Sequence, residues 1–313
     1  MNEVGITAGA VPSGPELDAL WRGVPCLAGT PRQVAELPGG LTNRNYKVTT
    51  PAGAFVARIW SDSNFLAINR DHEHHNSVAA AAAGVGAPVH AYQPEHNLLV
   101  LGFLEGRTLR PADVRAPASI PRIADACRQL HAGPRFAGDF DMFVIQRRYR
   151  SAARKHGFAI PAGYDELSPA LAAARAALAT QPAATVPCNN DLLAANFIDD
   201  GGKLWLIDYE YSGNNDPCFE LGNIAGESGL SRDALASLVT HYFGRPLRHK
   251  IARARLLDLV ARYGWALWGA IQHATSPLDF DFWAWGMERF EAAAQGFTSS
   301  EFSSLLDGVQ RED

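Results

Sequence analysis

The sequence is poor in cysteine, and its few cysteines are widely separated. It has four in 313 residues: Cys26, Cys127, Cys188 and Cys218. No two of them stand in C-x-x-C spacing, the pattern typical of structural zinc sites and redox motifs. The spacing therefore argues against a zinc site and against a disulfide framework, and it favours reduced thiols.

Long hydrophobic runs are also missing. The most apolar stretches, residues 78–89 and 171–178, are too short or too interrupted by Gly, Pro or Arg to span a bilayer. The first fourteen residues lack the basic start and apolar core of a secretory signal. We therefore predict a cytoplasmic protein with no membrane span.

An excess of positive charge is absent as well. The chain has 28 Lys and Arg residues against 33 Asp and Glu residues, a formal net charge of -5. It therefore has no basic field to attract nucleic acid or an anionic membrane surface. Hydrophobic residues make up 47% and charged residues 19% of the chain, as in soluble globular enzymes, and its length suffices for one large domain or two lobes.

What the sequence does have is a dense group of acids and amides in residues 189–210, NNDLLAANFIDDGGKLWLIDYE. Asp191 is followed five positions later by Asn196, and a hairpin-type turn signal, DDGG, comes next. A short apolar run then ends at Asp208. Strand alternation is expected to place Asp208 and Glu210 on one face, so that these carboxylates and the amide converge at one point.

Such a set fits phosphoryl transfer. An Asp beside a substrate hydroxyl orients it and accepts its proton, while an Asn and a second Asp give Mg²⁺ hard oxygen ligands. The order D-x-x-x-x-N, apolar strand, Asp is that of the kinase catalytic loop and its metal-binding Asp. D-x-x-x-x-N alone is a weak pattern, because loop Asp and Asn residues commonly cap turns. The I-D-Y-E that follows at hairpin distance makes the pattern more specific.

The segments NNDLLAANF, LWLIDYEYSGNNDPCFELGN and, upstream, GGLTNRNY resemble the choline/ethanolamine kinase branch of the aminoglycoside-phosphotransferase-like kinases. The motifs stand in the family's order, from about Gly39 to Phe290. The resemblance implies an α+β, two-lobed, protein-kinase-like fold that uses ATP and Mg²⁺. Its expected parts are a small N-terminal lobe with an antiparallel β-sheet and one helix (residues 1–101), a hinge (102–108) and a larger, mainly helical C-terminal lobe (109–313).

The resemblance also implies a nucleotide site in the first lobe. A turn at Gly40, rich in small and amide residues, can lay backbone N–H groups over phosphates, although an ordinary hairpin turn fits the local pattern equally well. Arg58 is expected to hold phosphates, with Glu73 as its helix partner and Arg70 or His72 as competitors for that partner. The hinge is expected to offer backbone groups to an adenine edge. The predicted nucleotide-binding residues are Gly40, Thr42, Asn43, Asn45, Arg58, Glu73, Gly102, Phe103 and Leu104.

In the second lobe the resemblance implies that Asp191 deprotonates the substrate hydroxyl. Asn196 and Asp208 are the implied Mg²⁺ ligands, and Glu210 supports a second metal or its water shell. The chain departs from the family at Asn189, where relatives usually carry His. Because Asn still supplies a donor and an acceptor but is shorter, we predict slower turnover. A degenerate kinase that binds choline or nucleotide without transfer is the alternative.

The last third of the chain is rich in aromatic residues at helical spacing. Trp265 and Trp268 share a helix face, and so do Phe282 and Trp285. Such stripes usually belong to a core. Together with Tyr211 they can instead enclose a quaternary ammonium, through cation–π attraction worth roughly 2 kcal/mol or more when desolvated. These five positions match the family's choline box, which makes choline the predicted substrate. Ethanolamine, another small alcohol and an aminoglycoside are the alternatives, although an aminoglycoside would favour an acidic groove.

Overall fold

The computed structural model of the chain describes residues 14–61, 65–66 and 68–311, which form two lobes. In the described part of the N-terminal lobe, five antiparallel strands form a sheet in the order β1-β2-β3-β5-β4. The strands are β1 (Gln33–Leu37), β2 (Asn43–Thr50), β3 (Gly53–Trp60), β4 (Val89–Gln93) and β5 (Leu98–Gly102), and the helices of this lobe are α1 (Gly14–Arg22) and α2 (Arg70–Ala82).

Both helices of this lobe lie against the sheet or its edge. Trp21 of α1 packs on the apolar face of the sheet, where Tyr46 and Phe55 are buried, so a second helix joins the expected one. Helix α2 begins after Asn69, whose side chain caps it by accepting a hydrogen bond from the backbone N–H of His72 at 3.0 Å. The small N-terminal lobe of the predicted fold is confirmed.

The chain passes from one lobe to the other inside the predicted hinge. Strand β5 ends at Gly102, and β6 (Arg107–Thr108) already pairs with β8 (Phe197–Asp199) in the second lobe. Strand β9 (Leu204–Leu206) completes this small sheet, in the order β6-β8-β9. The connecting segment between the two sheets is therefore residues 103–106.

The C-terminal lobe is mainly helical and surrounds a long central helix, α9. Helices α5, α7 and α10 pack along α9, which is buried over most of its length. The helices are α3 (Pro111–Arg115), α4 (Ser119–His131), α5 (Met142–His156), α6 (Ser168–Thr180), α7 (Pro217–Ser228), α8 (Arg232–Phe243), α9 (Arg248–Thr275), α10 (Phe282–Thr298) and α11 (Phe302–Gly308). Across the described residues, no helix combines the length and apolarity that a bilayer crossing requires.

One local expectation is wrong. Strand β9 ends at Leu206, opposite Phe197, so no strand alternation sets the directions of Asp208 and Glu210. The backbone N–H of Ile207 donates to the Asn196 carbonyl at 3.0 Å, and the chain then turns, with Asp208 in the left-handed region at φ 66°. The loop that follows contains strand β10 (Gly213–Asn215), which pairs with β7 (Val186–Cys188).

Candidate active site

The segment that follows β7, residues 189–196, is called the catalytic loop, and one buried carboxylate holds its first residues. Glu220 of α7 accepts hydrogen bonds from the backbone N–H groups of Asn189 at 3.0 Å and Asn190 at 2.6 Å. The Asn190 side chain donates to the carbonyls of Tyr211 at 3.1 Å and Gly213 at 3.3 Å, and Asn190 itself has φ 68°. This network gives the loop a fixed shape immediately before Asp191.

Asn189 links that loop to the segment that carries Asp208. Its amide nitrogen donates to the carbonyls of Ile207 at 3.1 Å and Asp208 at 2.8 Å. Its amide oxygen accepts from the backbone N–H of Asp191 at 3.1 Å. Asn189 therefore contacts the backbone on both sides of the site.

Asp191 and Asn196 are coupled through the backbone. The Asn196 amide nitrogen donates to the Asp191 carbonyl at 2.7 Å, which leaves the amide oxygen as the ligand atom of that side chain. Burial raises the pKa of the Asp191 carboxyl well above its usual range, and the nearby carboxylates of Asp208, Glu227 and Glu210 raise it further. A cation among these carboxylates would offset this effect.

The donors present fit Mg²⁺. Asn196 and Asp208 contribute an amide oxygen and a carboxylate, the hard ligands that Mg²⁺ takes in proteins. Asp208 is also held from the first lobe, because Arg58 donates to its Oδ1 at 2.7 Å. The two predicted ligands therefore belong to segments that hydrogen bonds hold in place.

Arg58 and Arg70 share the carboxylate of Glu73. Arg58 lies 2.7 Å from Glu73 Oε1, and Arg70 lies 2.6 Å from Glu73 Oε2. The predicted Arg58–Glu73 ion pair is thus confirmed, and Arg70, the expected competitor, binds the same group. Burial lowers the pKa of Arg58, but the charges of Asp208 and Glu73 outweigh it and raise that pKa overall. A permanent cation therefore lies at Asp208.

Glu210 joins the two lobes. Its Oε1 accepts from the Thr42 hydroxyl at 2.6 Å, and its Oε2 accepts from the Asn43 amide at 2.8 Å and from Arg70 at 3.2 Å. Burial and the charge of Asp208 raise the pKa of Glu210, although Arg70 opposes this. Both oxygens of Glu210 thus contact the N-terminal lobe, and Thr42 and Asn43 bind this carboxylate.

The Gly-rich turn is shorter than the sequence suggests, because Asn43 and Asn45 already belong to β2. Gly40 is required there: a Cβ at this position would lie 2.3 Å from the Asn43 carbonyl oxygen. Asn45 pairs with Arg58 in the β2–β3 ladder. The Asn45 side-chain oxygen is buried without a hydrogen-bond partner among the described residues. An unpaired polar atom therefore lies beside the phosphate-binding candidate.

In the predicted hinge, two backbone N–H groups are used within the first lobe. Gly102 donates to the Pro88 carbonyl at 2.7 Å, and Phe103 donates to the Ala54 carbonyl at 3.0 Å. The Lys47 ammonium lies 3.6 Å from the Phe103 ring centroid. Leu104 follows in the connecting segment and is the remaining predicted adenine contact.

The five predicted aromatic residues form one connected cluster. The Tyr211 ring lies 5.1 Å from that of Trp265, and the Tyr211 hydroxyl accepts a hydrogen bond from Trp268 Nε1 at 2.7 Å. The Trp268 ring lies 5.8 Å from Phe282 and 5.0 Å from Trp285. All of these side chains are buried except Trp285, which is partly exposed. Through Tyr211 the cluster reaches the catalytic loop.

A polar stripe that was not predicted runs along the buried helix α7. Glu220, Asn223 and Glu227 lie three and four residues apart and therefore share a face. Glu220 holds the catalytic loop, Asn223 Oδ1 accepts from Trp265 Nε1 at 3.1 Å, and Glu227 pairs with Arg289 of α10. Polar residues at helical spacing in an otherwise apolar helix are the signal that was available.

A buried His131, Cys188 and Glu220 cluster lies under the same loop. Its ligand atoms lie within 4.8 Å of one another. His131 Nδ1 contacts the Tyr242 hydroxyl at 2.7 Å, and its Nε2 contacts Glu220 at 3.2 Å. These groups are satisfied by hydrogen bonds with one another and with Tyr242, so the cluster is a hydrogen-bonded support at the end of α4.

Comparison with known proteins gives a consistent result. Residues 33–259 match the model of the family described as "Phosphotransferase enzyme family". The crystal structure of a choline/ethanolamine kinase family protein from Mesorhizobium loti is 32% identical, with a TM-score of 0.82 over 95% of this chain and 98% of that chain. The choline kinase LicA from Streptococcus pneumoniae is 25% identical, with a TM-score of 0.72 over 85% of this chain and 94% of that chain.

A curated relative, a probable ethanolamine kinase of Arabidopsis thaliana, is 26% identical over 283 residues, which are 80% of this chain and 75% of that protein. The family match covers more than half of the chain. The match to the Mesorhizobium loti protein spans nearly the whole of both chains. The chain therefore belongs to the phosphotransferase enzyme family, as a member of its choline/ethanolamine kinase branch.

Proposed function

We propose that this protein transfers the γ-phosphoryl group of ATP to the hydroxyl of choline. The observation that carries the proposal is the aromatic cluster, which meets the catalytic loop where the Tyr211 carbonyl accepts from Asn190. Rings on α9 and α10 can bind a quaternary ammonium through their faces. The hydroxyl of a short amino alcohol would then lie toward Asp191.

Each polar residue has a role in this reaction. Asp191 orients the hydroxyl and accepts its proton as the oxygen attacks phosphorus. Arg58 neutralises phosphate charge, and Asn196 and Asp208 would hold Mg²⁺, which supplies further positive charge to the phosphates when bound. Glu210, with both oxygens turned to the first lobe, keeps the lobes in register, a role we prefer to metal support.

Two alternatives differ in substrate and in activity. Ethanolamine is supported by relatives with that name, but its small primary ammonium favours carboxylate partners over a set of rings. A pseudokinase is suggested by Asn189 in place of His. The contacts of Asn189 with Ile207, Asp208 and Asp191 support activity, because they connect the segments that such a residue must connect.

A substrate panel tests the proposal. The purified protein is incubated with Mg²⁺, ATP and choline, ethanolamine, another small alcohol or an aminoglycoside, and ADP release and phosphorylated product are measured. We expect choline to give the highest kcat/KM, and Asp191→Ala to lower kcat by about 10²- to 10⁴-fold, the range for loss of a general base. Chelation of Mg²⁺ is expected to abolish turnover.

Other outcomes would change the assignment. Product formation unaffected by Asp191→Ala would remove Asp191 from the mechanism. If no alcohol gives product while choline still binds in calorimetry, the pseudokinase is favoured. A higher kcat/KM for ethanolamine would keep the reaction class and change the substrate.

A further inference from the structure

Arg289 holds a cation directly against the aromatic cluster. It lies four residues after Trp285 on α10, and its guanidinium carbon is 3.3 Å from the centroid of the Trp285 ring. Its Nη1 also donates to the Trp285 carbonyl at 3.2 Å. The chain thus supplies its own cation to one ring of the cluster proposed to bind a cationic substrate.

The same guanidinium also binds the carboxylate of Glu227. Arg289 Nε donates to Glu227 Oε1 at 3.1 Å, and Arg289 Nη2 donates to Glu227 Oε2. Both side chains are largely buried, with exposed fractions of 11% and 6%. This fork is the bidentate geometry in which Arg binds carboxylates most strongly. Both oxygens of Glu227 are therefore already bonded.

The pair also adjoins the rest of the aromatic cluster. The charge of Glu227 raises the pKa of Asp191, and that of Arg289 lowers it. Trp285 in turn lies 5.0 Å from Trp268, whose indole N–H bonds Tyr211. Arg289 and Glu227 therefore border the aromatic cluster that is proposed to hold the head group of the amino alcohol.

We propose that Arg289 is a specificity-determining residue. By binding Glu227 it prevents this carboxylate from binding a primary ammonium, and so favours a substrate with a quaternary one. The proposal rests on the proposed amino-alcohol kinase function and deepens it. A primary ammonium carries three N–H donors that need acceptors once water is removed, whereas a quaternary ammonium has no N–H and is satisfied by ring faces. With Glu227 engaged, the ammonium meets the rings of the cluster, and the neighbouring Glu227 carboxylate has both oxygens already bonded.

The test compares the choline to ethanolamine ratio of kcat/KM among variants. In Arg289→Gln, Glu227 becomes available to a primary ammonium. We expect the ratio to fall by about tenfold, the size of one charge-assisted hydrogen bond, mainly through a lower KM for ethanolamine. Arg289→Lys keeps the cation but lacks the bidentate fork, so its ratio is expected to lie between those of the parent and Arg289→Gln. Arg255→Gln, which removes a partly buried arginine of α9 that pairs with Glu301, is the matched control and is expected to keep the parental ratio.

A double variant separates specificity from a structural role. Glu227→Gln combined with Arg289→Gln leaves no unpaired buried charge, and we expect its ratio to return toward the parental value. If Arg289→Gln is unstable, the double variant and Arg289→Lys are compared with Glu227→Gln alone. Glu227→Gln has no carboxylate at position 227 and is expected to bind ethanolamine no better than the parent.

The outcomes are distinguishable from failure of the proposed function. A parent that makes no product from any amino alcohol sinks the function itself. A parent that prefers ethanolamine, an unchanged ratio in Arg289→Gln, or a double variant as tolerant of ethanolamine as Arg289→Gln overturns the specificity role while phosphoryl transfer stands. Improved ethanolamine binding by Glu227→Gln alone overturns it as well.

Discussion

Two regions meet at Asp191, and they are built on different physical principles. On the phosphate side, Arg58, Glu73 and Asp208 are joined by ion pairs that cross from one lobe to the other. On the aromatic side, rings from α9 and α10 pack within one lobe, and Trp268 contributes a hydrogen bond to Tyr211. Directional charge holds the first region, and apolar contact with ring electrostatics holds the second.

This difference predicts different responses to substitution. On the phosphate side charged groups share partners, as Arg58 binds both Glu73 and Asp208. Removal of one group therefore leaves another buried charge with too few counter-charges. On the aromatic side a ring can be reduced stepwise, because dispersion and cation–π attraction vary with area and distance. We therefore expect abrupt losses on the first side and graded, substrate-selective losses on the second.

The largest effect on stability is expected for Glu73→Gln, which tests the phosphate side. Glu73 contacts both Arg58 and Arg70 and is 2% exposed. Loss of its charge leaves two buried guanidinium groups with fewer counter-charges, so we expect the free energy of unfolding to fall by about 3 kcal/mol. Urea denaturation followed by circular dichroism measures it.

Asp165→Asn is the matched control for Glu73→Gln. Asp165 also contacts two arginines, Arg150 and Arg154, but its side chain is 45% exposed. Because solvent screens these ion pairs, we expect the free energy of unfolding to fall by about 0–1 kcal/mol. Equal losses in the two variants would contradict the view that burial makes the phosphate side abrupt.

Features that depend on nearby residues could be predicted from the sequence. That Trp265 and Trp268 lie on one helix followed from their spacing alone. The pairing of Arg58 with Glu73 followed from family order over 15 residues. Features that depend on local periodicity or on motif order were therefore within reach.

Contacts between segments that are far apart in the sequence could not be predicted. Thr42 donates to Glu210 across 168 positions, and Arg289 meets Glu227 across 62. No local pattern specifies which acid a given donor will meet, because that depends on how the lobes and helices pack. The end of β9 at Leu206 was missed for the same reason, since it is set by where its partner strand begins.

The next effect concerns the aromatic side and is tested by Trp268→Leu. Trp268 contacts Trp285 and Phe282 and donates to Tyr211. Removal of its π face is expected to raise the KM for choline about 30-fold, equivalent to roughly 2 kcal/mol of cation–π attraction. The KM for ATP is expected to stay near the parental value. Steady-state kinetics with each substrate varied in turn measures both.

Trp268→Phe sharpens that result, because it keeps a ring and removes only the indole N–H. We expect a smaller rise in the KM for choline, of about threefold, from the lost hydrogen bond to Tyr211. A graded order of parent, Phe and Leu supports a box that binds through ring faces. If both variants raise the KM for ATP as much as that for choline, the cluster is a core and does not bind substrate.

A smaller effect than that of Trp268→Leu is expected at Asn189, and it tests the backbone supports of the phosphate side. In Asn189→Ala the carbonyls of Ile207 and Asp208 lose their donor, and the Asp191 N–H loses its acceptor. Because these groups position the base and a predicted metal ligand without touching the aromatic cluster, we expect kcat to fall about tenfold, with the KM for choline nearly constant.

Asn189→Asp then identifies which of these hydrogen bonds matters. It keeps an acceptor for the Asp191 N–H but loses the two donors and places a carboxylate against the carbonyls of Ile207 and Asp208. If the position of Asp208 limits turnover, this variant is at least as slow as Asn189→Ala. If the position of Asp191 limits it, Asn189→Asp is the faster of the two. A parental kcat in both variants would show that the catalytic loop is held by Glu220 and Asn190 alone, and that the phosphate side is less sensitive to its backbone supports than its charges suggest.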